Sequence, residues 1–194
     1  MAKVKILLIG GGGHCKSVID VIEQTGKFEI VGITDVQEKV GDTILGYPVI
    51  GTDKDIYLLK ENIDAFHITI GMISLSEKRE KIFNELKNKG YEFPVIQSPF
   101  AYVSKHAKIG EGTIIMHNAV VNAGAIIGEN CILNTKCLVE HDAIINNHCH
   151  ISTGAIINGN VSVGQGSFIG SGAVSKQGAY IPNGTFIKAN SIIK

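Results

Sequence analysis

The tripeptide Glu140-His141-Asp142 puts three titratable side chains in consecutive positions. An imidazole beside a carboxylate is a general-base arrangement, since a ring that titrates near ~6.5 can take a proton at neutral pH. His141 is the candidate base and Asp142 the group that orients or polarises it. His150 is a second candidate, because it interrupts an otherwise apolar periodic position and needs a polar partner. His148 and His117 are further ring nitrogens. The spacing of His141, His148 and His150 does not favour a metal triad, and no metal is expected. The four cysteines (Cys15, Cys131, Cys137 and Cys149) have no metal-knuckle spacing.

A second centre lies near the start. Lys3 to Gly10 reads as a buried strand, followed by Gly10-Gly11-Gly12-Gly13-His14-Cys15 and a helix to about Gln24. A glycine loop that opens a helix offers backbone N–H groups and the positive end of the dipole to a phosphate. Asp35 ends the next strand, Glu29 to Thr34, where an acidic residue can hold a ribose or a base. A lone glycine loop is a weak sign by itself, and a third glycine is missing at Cys15.

The elements that must carry these residues differ between the two halves. From Val103, every sixth residue is Val, Ile or Leu, with Ser175 the exception. The fifth position of each hexad is small, with Val161 the exception, and positions two to four hold corner residues such as Asn158-Gly159-Asn160 and Gly164-Gln165-Gly166. Such self-similarity predicts a coil of three short sides, with branched and small residues inside and Glu140-His141-Asp142 at one corner. Cys131, Cys137 and Cys149 fall on the small inward position, so they read as core. The sixth position faces outward, and from Ile114 through Ile144 it is almost wholly apolar. That wall predicts self-association around a closed axis.

In the first half strands alternate with helices. Further helices are expected over 53–61 and 74–89, the latter capped by Ser74 or Ser76, and further strands over 65–71 and 93–97. This pattern gives an α/β domain with a parallel sheet. A division near Ser98-Pro99 predicts domains at 1–98 and 99–194.

Eighteen basic and eighteen acidic residues balance, so nothing points to nucleic acid or an anionic membrane. No apolar run approaches the ~20 residues of a membrane span, and the N-terminus has no secretory pattern. A cytoplasmic protein is expected.

The hexads resemble those of the hexapeptide-repeat acyltransferases. With the Gly-Gly-His loop and Val139-Glu140-His141-Asp142, the whole chain resembles the sugar O- and N-acetyltransferases of bacterial surface-glycan pathways. The resemblance implies a left-handed β-helix, a homotrimer and acetyl-CoA as cosubstrate. It implies acetyl transfer to the amine of a UDP-4-amino-4,6-dideoxyhexose. A sugar or sialic acid O-acetyltransferase and a non-catalytic trimeric scaffold are the alternatives. It further implies that Gly12, Gly13, His14 and Asp35 contact the nucleotide sugar, that His141 is the base and Asp142 its orienter, and that His150, Gly159 and Ser171 line the cofactor cleft between subunits. His150 or a backbone N–H would stabilise the oxyanion. Cys15 stands where the family carries glycine. Lys188-Ala189-Asn190-Ser191-Ile192 replaces its C-terminal Gly-x-Pro-Ala-Lys.

Overall fold

The structure is a computed structural model that describes residues 2–59, 63–72 and 77–194. The chain divides into two compact units, Met1–Gly71 with Lys81–Pro94, and Met72–Glu80 with Val95–Lys194.

The first unit is built on one sheet. β1 (Val4–Ile9), β2 (Phe28–Thr34), β3 (Thr43–Ile44), β4 (Tyr47–Gly51) and β5 (Ala65–Ile68) lie in the order β3-β4-β2-β1-β5. All neighbours pair in parallel except β3, which runs antiparallel to β4 at the edge. α1 spans Gly13–Thr25 and buries Cys15, Val18, Ile19 and Ile22, an apolar stripe at helical spacing. It stops at Gly26, which is left-handed and bonds back to the Glu23 carbonyl. α2 is a single turn, Ile56–Leu59, and α3 covers Glu77–Asn88. Leu7, Ile9, Phe66, Ile68, Phe83 and Phe93 pack together as the core of this half.

Two sequence expectations need adjustment. Residues 93–97 do not add a strand to this sheet. Ile96–Gln97 pairs instead with Ile114–Ile115, as the first rung of the second unit. The separation of eighteen residues is one full coil, and Pro94 breaks the chain just before it. The β3–β4 hairpin was not expected, because its turn uses Leu45 at a positive φ of 49° before Gly46. The expected caps Ser74 and Ser76 lie outside the described residues, as do the end of the expected 53–61 helix and the start of the expected 74–89 helix.

The second unit is a left-handed parallel β-helix. Strands two residues long stack at intervals of eighteen residues, as in Val120↔Leu138 and Leu138↔Ile156, which gives three flat faces. Face one carries Ile114, Ile132, His150, Phe168 and Phe186 on its outside. Face two carries Val120, Leu138, Ile156 and Val174, and face three Ile126, Ile144, Ser162 and Tyr180. Every sixth residue from Gly112 to Asn190 has a positive φ, so each corner turns on one left-handed residue. The interior is a single column of buried residues, including Ile127, Val139, Ile145, Ile157 and Val163. Cys131, Cys137 and Cys149 lie in it as free, buried thiols.

The outward apolar wall is not uniform. On face one Ile114, Ile132, His150 and Phe168 are buried within the chain. Phe186 at the end of face one is exposed, the middle of face two is half-buried with Ile192 exposed at its end, and face three exposes Ile126, Ile144 and Tyr180.

Candidate active site

His141 sits at the corner between faces two and three, in the middle corner position. Its Nδ1 lies 2.9 Å from Asp142 Oδ2, and the His141 side chain is 55% exposed. A carboxylate only accepts, so Nδ1–H donates to Asp142 and Nε2 keeps its lone pair for a proton. Asp142 is the left-handed corner residue, with φ 58°. Left-handed backbone costs an ordinary residue ~1–2 kcal/mol, and aspartate tolerates it better than most.

Two glycines one coil away make room for this pair. A Cβ on Gly159 would lie 2.6 Å from His141 Nε2 and 2.7 Å from Cε1. A Cβ on Gly124 would run into the Asp142 carboxylate. The ring and its carboxylate therefore lie close against glycine backbone. Gly159 thus lies at the His141 corner, where the lack of a side chain leaves room for the ring.

His150 lies across face two from this corner. It is 6% exposed. Nδ1 approaches the Met72 carbonyl at 2.6 Å, which makes Nδ1 the donor, and Nε2 then accepts from the Asn134 amide at 3.1 Å. The Phe168 ring stands edge-on to it, with centroids 5.1 Å apart. Burial dominates its titration and pulls its pKa down to about 4, opposed by the bond to Met72 and helped by Arg79. The ring is neutral, and in this arrangement both nitrogens are engaged inside the protomer. Ser171 is exposed at the edge where faces one and two meet, its Oγ 2.9 Å from Ser152 Oγ.

This burial gives His150 a share in acid stability. Its folded pKa is depressed from 6.5 to about 4, so the unfolded chain binds more protons in that interval. The contribution is fully present above pH ~6.5 and is lost as pH falls toward ~4, for a total of about 3 kcal/mol. Urea unfolding at pH 7 and at pH 4.5, at one protein concentration, should show a larger loss for the wild type than for His150→Gln. Equal losses would contradict the account.

The other histidines stand apart from both. His148 is buried at the corner between faces three and one, Nδ1 3.0 Å from the Asn130 amide and Nε2 3.7 Å from Glu80. His117 bonds Ser98 Oγ at 2.6 Å. A cavity of about 400 Å³ borders His148, with Arg79, Glu80 and Gln165 among its walls, and it does not include His141. Arg79, the sole arginine, is buried against the Asn130 carbonyl, and burial lowers its pKa to about 10. Sequence reading did not single out Arg79, Glu80 or Gln165.

In the first unit Gly12 caps α1 without a side-chain bond, and no acidic residue occupies the first turn. A Cβ on Gly12 or Gly13 would meet nothing within 4 Å, so neighbouring protein does not require glycine there. His14 is half-buried against Gly71. Cys15 points inward to the core, and burial pushes its thiol up to about 11, against a bond to Thr69. Asp35 accepts from Gly11 N–H at 3.1 Å, Val36 N–H at 2.8 Å and Lys39 Nζ at 2.7 Å. Burial raises its pKa, but these three donors outweigh it and hold the carboxyl below its ordinary range. Asp35 also borders a cavity of about 330 Å³ with Gln37, Glu38, Thr52, Asp53 and Lys54.

Stacked hexads, a basic nitrogen seated on glycine and a glycine-opened helix define a hexapeptide-repeat transferase joined to an α/β unit. Comparison with known proteins narrows this. Residues 5–86 match the PglD N-terminal domain, and residues 106–141 match the bacterial transferase hexapeptide, six repeats. The chain is similar to the acetyltransferase domain of PglB from Neisseria gonorrhoeae FA1090, with 32% identity, a TM-score of 0.91, and coverage of 98% of this chain and 91% of that one. That domain has also been solved with acetyl coenzyme A. Perosamine N-acetyltransferase from Caulobacter crescentus, solved as a histidine-to-asparagine variant with CoA and GDP-perosamine, is 30% identical, with a TM-score of 0.92 over 100% of this chain and 90% of that one. Uncharacterized protein L142 of Acanthamoeba polyphaga mimivirus is 36% identical over 110 residues, 57% of this chain, which spans 21% of that longer protein. The chain belongs to the family of sugar acetyltransferases that joins a PglD-type N-terminal domain to transferase hexapeptide repeats.

Proposed function

We propose that this protein transfers an acetyl group from acetyl-CoA to the amine of a nucleotide-activated amino sugar, with His141 as general base. The observation that carries the reading is the His141–Asp142 pair at 2.9 Å, with the Nε2 edge of the ring held over Gly159. Support comes from relatives solved with acetyl coenzyme A and with CoA and GDP-perosamine.

The amine nitrogen attacks the thioester carbonyl carbon while His141 Nε2 takes its proton. The C–S bond then breaks, CoA leaves as the thiol, and an amide remains on the sugar. The imidazolium is held by Asp142 until it passes its proton to the leaving sulfur. Direct transfer needs no acyl-enzyme, since the three thiols of the β-helix are buried. Both His150 nitrogens are engaged, so a backbone N–H carries the oxyanion and His150 shapes the cleft wall.

Residues 1–98 bind the nucleotide sugar through Gly12, Gly13, His14 and Asp35, and residues 99–194 carry the transfer. The protein acts in the cytoplasm, where both substrates are made. No described helix is long and apolar enough to cross a membrane.

The working form is a homotrimer. In one protomer His141 and Gly159 lie at one edge of face two and Ser171 at the other, with His150 on the adjoining face one. They line one acetyl-CoA cleft only when one copy's edge meets its neighbour's. The apolar residues exposed on face three supply the contact surface.

The test is acceptor-dependent release of CoA thiol from acetyl-CoA, with UDP- and GDP-linked 4-amino sugars, their 4-hydroxy counterparts and free sialic acid as acceptors. Release with an amino sugar alone supports the reading. Release only with hydroxyl acceptors, or with none, overturns it.

A further inference from the structure

The His141 corner has a third support, on the side away from Asp142. Glu140 precedes the base, and its Oε2 accepts two bonds. One comes from the Asn122 amide of the coil below, at 2.8 Å. The other comes from the backbone N–H of His141 itself, at 3.2 Å. Asn122 and Glu140 are eighteen residues apart, one full coil, and each follows directly on a paired strand residue, Val121 and Val139. A buried strand pair thus fixes the place of the amide, the amide fixes the carboxylate, and the carboxylate fixes the peptide that carries the catalytic ring.

We infer that Glu140 and Asn122 form a positioning clamp for the general base. This rests on His141 being that base. Glu140 does not move a proton and does not touch the reacting atoms. It holds the His141 N–H, and with it the origin of the side chain, while Asp142 sets the ring's rotation and Gly159 its height. Other corners are pinned in a related way, Glu129 N–H by Asn147 Oδ1 and Gln165 N–H by Asn183 Oδ1, each pair eighteen residues apart, so a side chain that holds a corner peptide is a device this fold uses. A base misplaced by ~1 Å can cost ~10²-fold in rate, so a bond that pins its backbone has leverage over kcat.

The clamp is a matter of hydrogen-bond geometry, and substitutions can separate that from charge. Glu140→Ala removes the acceptor. Glu140→Gln keeps an oxygen that can accept both bonds. Asn122→Asp replaces the donor with a second carboxylate and repels Glu140. Asn122→Asp combined with Glu140→Gln restores the pair with its roles reversed, since the glutamine amide donates to Asp and its oxygen still accepts from His141.

The experiment is steady-state kinetics of the protein with acetyl-CoA and the nucleotide-linked 4-amino sugar that the acceptor panel selects, at matched assembly state. Glu140→Ala and Asn122→Asp are expected to lower kcat by ~10–10²-fold with both KM values nearly unchanged. Glu140→Gln and the reversed pair are expected to recover kcat to within ~3-fold of wild type, the double variant being far more active than Asn122→Asp alone. Three results overturn the inference: wild-type kcat in Glu140→Ala, a Glu140→Gln variant as slow as the alanine, or a double variant no faster than Asn122→Asp. His141→Ala is run beside them. If it is inactive while Glu140→Ala is unaffected, the clamp alone fails. If it is fully active, the base assignment fails and the clamp with it.

Discussion

Replacing His141 by asparagine should lower kcat by ~10²–10⁴-fold and leave the KM for acetyl-CoA close to its wild-type value. The residue is on the surface, 55% exposed, with its ring against Gly159 and beside Asp142. Removing it opens no core cavity and breaks no strand pairing, so the coil keeps its register. Asparagine also tolerates turn conformations. What disappears is the one nitrogen with a free lone pair at this corner. The amine must then lose its proton to water after attack instead of to a fixed acceptor. Steady-state kinetics with the amino-sugar acceptor measures the effect. A loss of less than about tenfold would place the base elsewhere, since a positioned base is worth more than that.

Gly159→Ala should cost ~10²-fold in kcat while the melting temperature moves by only a few degrees. The position is buried, and the backbone there is not left-handed, so alanine fits the chain without strain. The added methyl has one place to go, and that place is 2.6 Å from Nε2. Contacts that short do not occur, so the ring must swing out toward solvent. Swinging breaks the alignment with Asp142 and moves the basic nitrogen away from the acceptor. Kinetics and a thermal melt on the same preparation separate the two effects. Near-normal kcat would mean that the ring works in a different position from the one seen here. A collapse of the melt would mean that Gly159 serves packing and not the base.

The β-helix was legible because its rules are local. A six-residue period fixes which side chain points inward, and one left-handed residue per hexad makes the corner. The partners that seat His141 were not read from the sequence, although the signal exists. Asn122 and Gly159 are each eighteen residues from the residue they serve, Glu140 and His141. Periods of six draw attention to neighbours along the strand, and stacking acts three hexads away. The same offset identifies Ile96–Gln97 as a rung of the β-helix, where strand-like composition alone suggested the other sheet. Composition reports strand propensity and says nothing about the pairing partner.

The outward wall shows a different limit. All three faces carry apolar residues at the sixth position, so the pattern treats them alike. Burial does not: the middle of face one is covered, the middle of face two is half-buried, and face three is the most exposed. That difference changes His150 from a candidate donor into a neutral ring with both nitrogens occupied. Met72, its carbonyl partner, is seventy-eight residues away in the chain, beyond any periodic signal. Conversely, Asp35 was legible as the acid after the second strand. Its bonds to Gly11 and Lys39 depend on loop geometry that the sequence does not encode in a motif.

In the proposed reaction the acetyl group ends on a sugar nitrogen, delivered by direct attack with His141 taking the proton. Mass spectrometry of the products formed by the wild-type protein from acetyl-CoA and a nucleotide-linked 4-amino sugar tests it most directly. The expected product is a nucleotide sugar carrying one acetyl group as an amide, stable to mild base, formed in step with free CoA and absent with His141→Asn. An unmodified sugar beside free acetate, or an ester lost in mild base, would contradict it.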